Sequence, residues 1–330
     1  MNILVIGCGS VGKRHLRNLL SMNAGRIFAY DIDTSKVELV QQELSVEALS
    51  SENQALNVGD YDAAFICSPP SFHVNQALKL LEKGTHCLIE KPLSNTLENL
   101  NTLVELVERT KMIVLIGHNF RFSPLLIKIK ELLDHEIIGQ LLFLKASLGY
   151  YLPYWRPNED YRKSYGASKT LGGGIILDAS HEIDYARYFL GEVEEVFGVC
   201  KKISKLDIDT EDFAEITMHH RNGAYSQIHL DYLQTNYRRS CEIVGEKGML
   251  VWDVNERILN VYGMNDKEYH VHYEGLNANV NDMYVEEAKH FFRCIEGVEK
   301  PLVDVKEGKR LIELIVKIKE SSDERRFISV

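Results

Sequence analysis

The first twelve residues constrain this chain more than any other stretch. The apolar run Met1-Asn2-Ile3-Leu4-Val5-Ile6 stops at Gly7, and Gly7-Cys8-Gly9-Ser10-Val11-Gly12 reads G-x-G-x-x-G. The run is too short to cross a bilayer and lacks the basic leader and small-residue cleavage site of a secretory signal, so a buried strand is expected. After it, Val11, Leu16, Leu19 and Leu20 share one helical face. A glycine motif that closes a strand and opens a helix is the arrangement that holds a dinucleotide. Gly7 permits the tight turn, Gly9 lets the backbone approach a pyrophosphate, and Gly12 lets helix and strand pack closely. Ser10 and Val11 would offer backbone N–H groups at the helix's positive end. The second strand ends at Asp31, 19 residues beyond Gly12. Its carboxylate suits ribose hydroxyls and would repel a 2′-phosphate, which favours NAD over NADP. Asp31 is otherwise a cap for the next helix, and Asp33 competes for either task.

The alternation continues to about residue 120. Strands are expected over 26–31, 62–67, 86–89 and 112–117, separated by helical periodicities at 34–44, from Pro69-Pro70 to Gly84, and at 97–107. Strands alternating with helices imply a parallel sheet with crossover connections. Beyond Ser123-Pro124, a capped helix start, the pattern changes. A strand over 140–151 leads into an aperiodic segment, 150–169, rich in Tyr, Trp, Arg and Pro, read as a loop. Gly172-Gly173-Gly174 opens a helix that runs to Gly191. Residues 192–273 read mostly as strands, with hairpin turns at Arg221-Asn222-Gly223 and Glu246-Lys247-Gly248. Helices over 281–296 and 304–321 close the chain. The expected fold is therefore α/β. A doubly wound Rossmann domain over 1–120 precedes an α+β domain over 121–330, whose sheet is large, open and mostly antiparallel.

A net charge of −10 argues against nonspecific nucleic-acid binding, which needs a basic field. No stretch suggests a membrane partner. The six cysteines are scattered, without C-x-x-C or zinc spacing, and fit free thiols in a reducing cytoplasm. His219 and His220 are neighbours in a strand and so face opposite sides, which leaves no expected metal site.

Cys67-Ser68-Pro69-Pro70 ends a strand on the cofactor edge of the sheet, where Ser68 and Pro69 would form a stiff wall, or an ordinary strand exit. His118-Asn119 ends another and is a candidate contact for the nicotinamide or the substrate, with Asn119 counted among the cofactor-binding residues. Tyr154, Trp155, Arg156, Tyr161 and Arg162 suit a polyhydroxylated ligand, with aromatic faces on C–H surfaces and guanidinium groups on hydroxyls or a phosphate; ordinary loop packing uses the same residues. Arg238-Arg239 reads as a solvated strand end, or as a partner for a nucleotide diphosphate.

Together with the glycine motif, Ser68-Pro69-Pro70, Glu90-Lys91-Pro92 and Gly172-Gly173-Gly174-x-x-x-Asp178-x-x-His181 make nearly the whole chain resemble the glucose–fructose oxidoreductase / inositol dehydrogenase (Gfo/Idh/MocA) family. The resemblance implies NAD(P)-linked chemistry on sugars, inositols or sugar nucleotides. It implies Lys91 as the active-site lysine, Asp178 and His181 as an acid–histidine pair, and a cis Lys91–Pro92 bond. Many members place three residues between the acid and the histidine; this chain has two. The variant, with Trp155-Arg156-Pro157 and Asp160-Tyr161-Arg162, is similar to a subgroup associated with surface-polysaccharide sugars.

Hydride transfer from a secondary alcohol needs a base, and imidazole titrates near neutrality. His181 is the choice, with Asp178 fixing its tautomer and both on one helical face. Lys91 would hold the substrate oxygen or carry the proton itself, and Glu90 would orient Lys91 or contact the cofactor. The expected activity is an NAD-dependent dehydrogenase of a sugar, amino sugar or sugar nucleotide. The alternatives are a lyase or hydrolase that oxidises its sugar transiently, and a non-catalytic NAD-dependent sensor. The open sheet face implies a homodimer or homotetramer through 192–273.

Overall fold

The computed structural model describes residues 1–255, 258–264, 271–274 and 279–330. The strand-rich span expected over 192–273 includes 256–257 and 265–270, which lie outside the described residues. Contacts divide the chain into two compact units, Met1–Asn119 with Asn281–Ile312, and Phe120–Val280 with Glu313–Val330.

The first unit begins with β1 (Asn2–Ile6), α1 (Ser10–Ser21), β2 (Arg26–Tyr30), α2 (Thr34–Glu43) and the short β3 (Glu47–Ala48). It continues with β4 (Ala63–Ile66), α3 (Pro70–Leu81), β5 (His86–Glu90), α4 (Leu100–Thr110) and β6 (Val114–Gly117). The six strands order β3-β2-β1-β4-β5-β6, and every pair is parallel. The change of direction lies beside β1, so the glycine turn after β1 opens at the point where such sheets bind ligands. β1 and β4 are apolar at nearly every position because a parallel sheet is covered on both faces. Pro70 opens α3 at its first turn, where a missing N–H costs nothing.

The second unit contains α5 (Pro124–Asp134), β7 (Leu141–Gly149), α6 (Leu152–Trp155), α7 (Ile175–Asp178), α8 (Ser180–Leu190), β8 (Val193–Lys201), β9 (Phe213–His220), β10 (Tyr225–Asp231), β11 (Arg238–Gly245), β12 (Gly248–Asp253), β13 (Ile258–Gly263) and β14 (Val271–Glu274). Two helices follow, α9 (Val280–Ile295) and α10 (Val305–Glu324), and a last short strand, β15 (Ile328–Ser329). The nine strands order β14-β13-β12-β11-β7-β10-β9-β8-β15. All pairs are antiparallel except β7 with β10. The Asn-Gly hairpin lies where the sequence placed it. Gly223 sits at φ 87° and Asn222 Oδ1 accepts the Ala224 N–H at 3.1 Å. Period-2 burial puts Leu144, Ala146, Ile216, Met218, Ile228 and Leu230 into the core. The opposite face carries Phe143 and Tyr225 among Lys145, Gln227 and Glu215.

Three differences from the sequence reading have local causes. The single helix expected from Gly174 to Gly191 is two, α7 and α8, because Ala179 leaves helical geometry at ψ 30°. Asp178 therefore closes one helix and His181 lies in the first turn of the next. The loop over 150–169 contains the short α6 and tight turns at Tyr161–Lys163 and Tyr165–Ala167. The linear division at residue 120 omits a return of the chain. Ala288 and Phe291 of α9 are fully buried in the first unit's core, where the Phe291 ring meets Phe65 edge-on at 5.6 Å.

Replacing Phe291 by Ala should therefore lower the first unit's stability by about 3–5 kcal/mol, the usual cost of emptying a buried aromatic site. Denaturant titration checks this. A loss below about 1 kcal/mol would mean that α9 is not part of that core.

Candidate active site

At the cofactor edge of the first unit, each motif glycine has a separate spatial reason. A Cβ on Gly7, at φ 91°, would lie 2.5 Å from the Cys67 carbonyl oxygen, and one on Gly12 would lie 1.7 Å from the Gly7 oxygen. A Cβ on Gly9 would meet nothing within 4 Å. Gly7 and Gly12 are thus demanded by the fold, while the space over Gly9 is left to a ligand. α1 has no side-chain N-cap and no acidic residue in its first turn, so the N–H groups around Ser10 and Val11 are not claimed by a carboxylate. Such a helix end suits a diphosphate.

The competition between Asp31 and Asp33 is resolved by their hydrogen bonds. Asp33 caps α2, accepting the Ser35 N–H. Asp31 turns back to the glycine loop, where Oδ2 accepts the Cys8 N–H at 2.7 Å and Oδ1 accepts the Asp33 N–H at 2.9 Å. It is half-exposed and held just past the end of β2. These residues fit a dinucleotide. The Cys8 thiol is fully buried, and burial first, then the Asp31 charge, push its pKa up to about 12.

Ser68 and Pro69 lead into α3, with Ser68 Oγ donating to Gln76 at 2.7 Å. Lys91 is half-buried and its bond to Pro92 is cis, as the family resemblance implies. The turn after β4 and the turn after β5 are joined by His73, whose ring nitrogens lie 2.7 Å from the Ser68 carbonyl oxygen and 3.0 Å from that of Pro92. Burial draws the His73 pKa down, against the pull of the two carbonyls. Glu90 accepts a 2.7 Å hydrogen bond from His15 of α1, and the Asn119 side chain bonds Tyr284 of α9.

In the second unit, the Gly-Gly-Gly run exists for close packing. A Cβ on Gly173 would lie 2.1 Å from the Tyr165 oxygen, and Gly174, at φ 108°, donates its N–H to Gly166 at 3.0 Å. The run thereby seats Tyr165 against Asp178. Asp178 accepts hydrogen bonds from the hydroxyls of Tyr150 at 2.5 Å, Tyr232 at 3.2 Å, and Tyr165. Its carboxylate thus answers three phenols. His181 is half-buried, with its ring 5.6 Å from that of Phe120.

The Asp178 cluster reaches the surface through stacked rings. Tyr150 lies 4.5 Å from Trp155, and Trp155 stacks on Tyr237 at 5.8 Å. Trp155 is 51% exposed and Tyr154 65% exposed, which is unusual for large aromatics without a ligand. Arg156 pairs with Glu159 at 3.2 Å and Arg162 with Asp160 at 2.8 Å, and the Tyr161 hydroxyl accepts the Asp207 N–H at 3.2 Å. These polar residues order the loop as well as being available to a ligand.

Several members of these networks carry no sequence signature. His15, His73 and Glu287 stand on helices as ordinary polar positions, and their partners are distant in sequence. Tyr165 and Tyr232 looked like any aromatics, although three tyrosines around one acid are the substance of the cluster. Arg239 is not the solvated strand end that its Arg-Arg context suggested. It bonds fully buried Glu182 at 2.6 Å and lies 3.8 Å over the Phe120 ring. Arg121 makes a two-pronged pair with Asp184, at 2.8 Å each, under Tyr188.

Comparison with known proteins places this geometry. Residues 1–118 match the family described as "Oxidoreductase family, NAD-binding Rossmann fold", and residues 126–251 match "GFO/IDH/MocA C-terminal domain". Myo-inositol 2-dehydrogenase of Thermotoga maritima is 29% identical, over 100% of this chain and 98% of that protein. The uncharacterized oxidoreductase YrbE of Bacillus subtilis is 31% identical, over 88% and 85%. Among solved structures, the WlbA dehydrogenase of Bordetella pertussis, in complex with NADH and UDP-GlcNAcA, has a TM-score of 0.88 at 19% identity, covering 100% of this chain and 97% of that one, a likeness of fold.

Replacing Arg239 by Met should cost about 3–5 kcal/mol in the second unit, because Glu182 is left buried without its counter-charge. Thermal and denaturant unfolding measure it. A change within about 0.5 kcal/mol would restore the solvated reading of the strand end.

Proposed function

We propose that this chain, which belongs to the Gfo/Idh/MocA family of oxidoreductases with an NAD-binding Rossmann domain, oxidises a secondary hydroxyl of a cyclic polyol, sugar or sugar nucleotide, or reduces the matching ketone. The observation that carries the substrate class is the Asp178 cluster, a carboxylate ringed by three phenols and continued to an exposed indole. Aromatic rings accept the apolar faces of a sugar ring, and fixed carboxylate and phenol groups read its hydroxyls. The names of two relatives, myo-inositol 2-dehydrogenase and scyllo-inositol 2-dehydrogenase (NAD(+)), favour the same class.

The residues divide the work as follows. NAD, when bound, supplies the acceptor or donor of the hydride. Gly9, Ser10 and Val11 present backbone to its diphosphate, and Gly7 and Gly12 keep that turn tight. Asp31 takes the ribose hydroxyls and disfavours a 2′-phosphate. Ser68, Pro69, Glu90 and Asn119 line the carboxyl edge of the first sheet beside the cofactor. Lys91 holds the substrate oxygen with its ammonium and stabilises developing negative charge. His181 accepts the hydroxyl proton. Asp178, steadied by its tyrosines, orients neighbouring hydroxyls. Tyr154, Trp155, Arg156, Tyr161 and Arg162 close on the rest of the sugar. The chain acts in the cytoplasm, where its six free cysteines stay reduced, and assembles as a homodimer or homotetramer through the open face of the nine-stranded sheet, with Phe143 and Tyr225 at the contact.

NAD should raise the melting temperature more than NADP does at equal concentration; the reverse would overturn the assignment of Asp31. In a panel of inositols, sugars and UDP-sugars, the true substrate should yield stoichiometric NADH, whereas transient oxidation or a sensor would yield none. Lys91→Met and His181→Asn should each lower turnover by about 10²–10⁴-fold with NAD affinity nearly unchanged. Wild-type rates in both variants would refute their roles.

A further inference from the structure

A charged cluster on the open face of the nine-stranded sheet stands outside the roles assigned above. The His229 ring of β10 lies between two carboxylates, with Nδ1 2.6 Å from Glu215 Oε1 of β9 and Nε2 2.7 Å from Asp231 Oδ2. Asp231 also accepts the backbone N–H groups of Leu233 at 2.7 Å and Gln234 at 3.0 Å, and the Gln234 Nε2–H at 2.5 Å. An ionised carboxylate is the form that accepts from all of them. Glu215 is exposed to water, where a carboxyl is ionised at neutral pH. Both neighbours can then only accept, so both ring nitrogens donate and His229 is an imidazolium. Across the sheet it faces Ser147 of β7, the Phe213 ring lies edge-on at 5.6 Å, and the neighbouring rows of that face carry Lys145, Glu242, Lys201 and Arg238. The bond to Asp231 does most to raise the His229 pKa, burial opposes it and Glu215 adds to it, and the balance lies at about 9. Burial works upward on Asp231, but its bonds from His229 and Gln234 hold it below the usual carboxylate range.

The backbone ties this cluster to the Asp178 tyrosines. The Asp231 carbonyl accepts the Tyr150 N–H at 3.1 Å, and the Tyr232 carbonyl accepts the Leu152 N–H at 3.1 Å. The chain leaving β10 therefore pairs with the chain leaving β7, and each delivers one phenol, Tyr232 and Tyr150, to Asp178. Gly149 permits the approach. A Cβ there would lie 2.1 Å from Gln234 Nε2 and 2.7 Å from Asp231 Oδ2.

We propose that His229 and Asp231 are positioning residues for the substrate site: the imidazolium fixes Asp231, Asp231 fixes the turn over 231–234, and that turn sets Tyr150 and Tyr232 against Asp178. Loss of the His229 proton leaves two carboxylates facing a ring that can donate to only one of them, and their repulsion loosens the turn. The direction follows from the raised pKa. The clamp's stabilising effect is complete below the ordinary imidazole range, about 6.5, and is lost as pH climbs through about 9. The inference rests on the proposed function only in calling the Asp178 cluster the substrate's.

The test is an NMR pH titration of the full chain, isotope-labelled at the histidine ring nitrogens and the tyrosine Cζ, with signals identified by His229→Gln, Tyr150→Phe and Tyr232→Phe. At neutral pH both His229 nitrogens should read as protonated. The Tyr150 and Tyr232 Cζ signals should move together with His229, at one midpoint near pH 9, and His229→Gln should abolish that step. Burial pushes both phenols well above their ordinary range, so the step is not their own ionisation. The proposal is overturned by a singly protonated His229 at neutral pH, by tyrosine signals that do not follow its titration, or by a step that survives His229→Gln. The wild-type titration decides the matter even where His229→Gln does not fold. Because no substrate enters this experiment, a chain that shows the titration and oxidises no sugar would refute the proposed function and leave the clamp standing.

Discussion

The first unit is organised around one steric crossing. Where β1 ends and α1 begins, the backbone passes so close to itself and to the end of β4 that side chains at Gly7 and Gly12 are impossible. That crossing sends α1 away from the sheet with its N-terminus at the carboxyl edge, where the peptide dipoles present partial positive charge. The same crossing leaves the surface above Gly9 bare. Asp31 fastens the end of β2 to it through the Cys8 N–H. The cofactor edge is thus a product of backbone geometry, and side chains enter mainly as clamps: His73 between two turns, His15 behind Glu90.

The second unit solves a different problem. It holds many donors and acceptors rigidly, and rigid polar groups are expensive to bury. Here three carboxylates are paired with other residues. Asp178 answers three phenols, Glu182 answers Arg239, and Asp184 answers Arg121. The glycine run before α7 lets the Tyr165 turn approach closely enough to complete the first of these. Networks of this kind hold geometry better than any single pair. The open sheet face carries a more exposed network, in which the His229 ring bonds Glu215 at 2.6 Å and Asp231 at 2.7 Å.

Much of this was legible in the sequence, for identifiable reasons. Hydrophobic period and glycine punctuation located nearly every strand and helix of the first unit, because a doubly covered parallel sheet writes unbroken apolar runs. The Asn-Gly hairpin declared itself by the positive φ that its glycine takes. The return of 281–312 to the first unit did not, since an amphipathic helix does not say which core it joins. The break at Ala179 was hidden for a similar reason: nothing at that alanine opposes a helix, and the turn is fixed by what surrounds Asp178. The buried partners of Arg239 and of Glu90 lie 57 and 75 residues away and needed the fold to be seen.

The central claim is that the bare surface over Gly9 receives the cofactor's diphosphate. Gly9→Val addresses it, because a Cβ there meets no protein atom within 4 Å, and circular dichroism and melting temperature check that the fold is kept. Calorimetric titration of this variant with NAD⁺ should show affinity reduced by about 100-fold or more, equivalent to some 2.7 kcal/mol or greater. An intact Gly9→Val protein that binds NAD⁺ as tightly as the wild type would contradict the account.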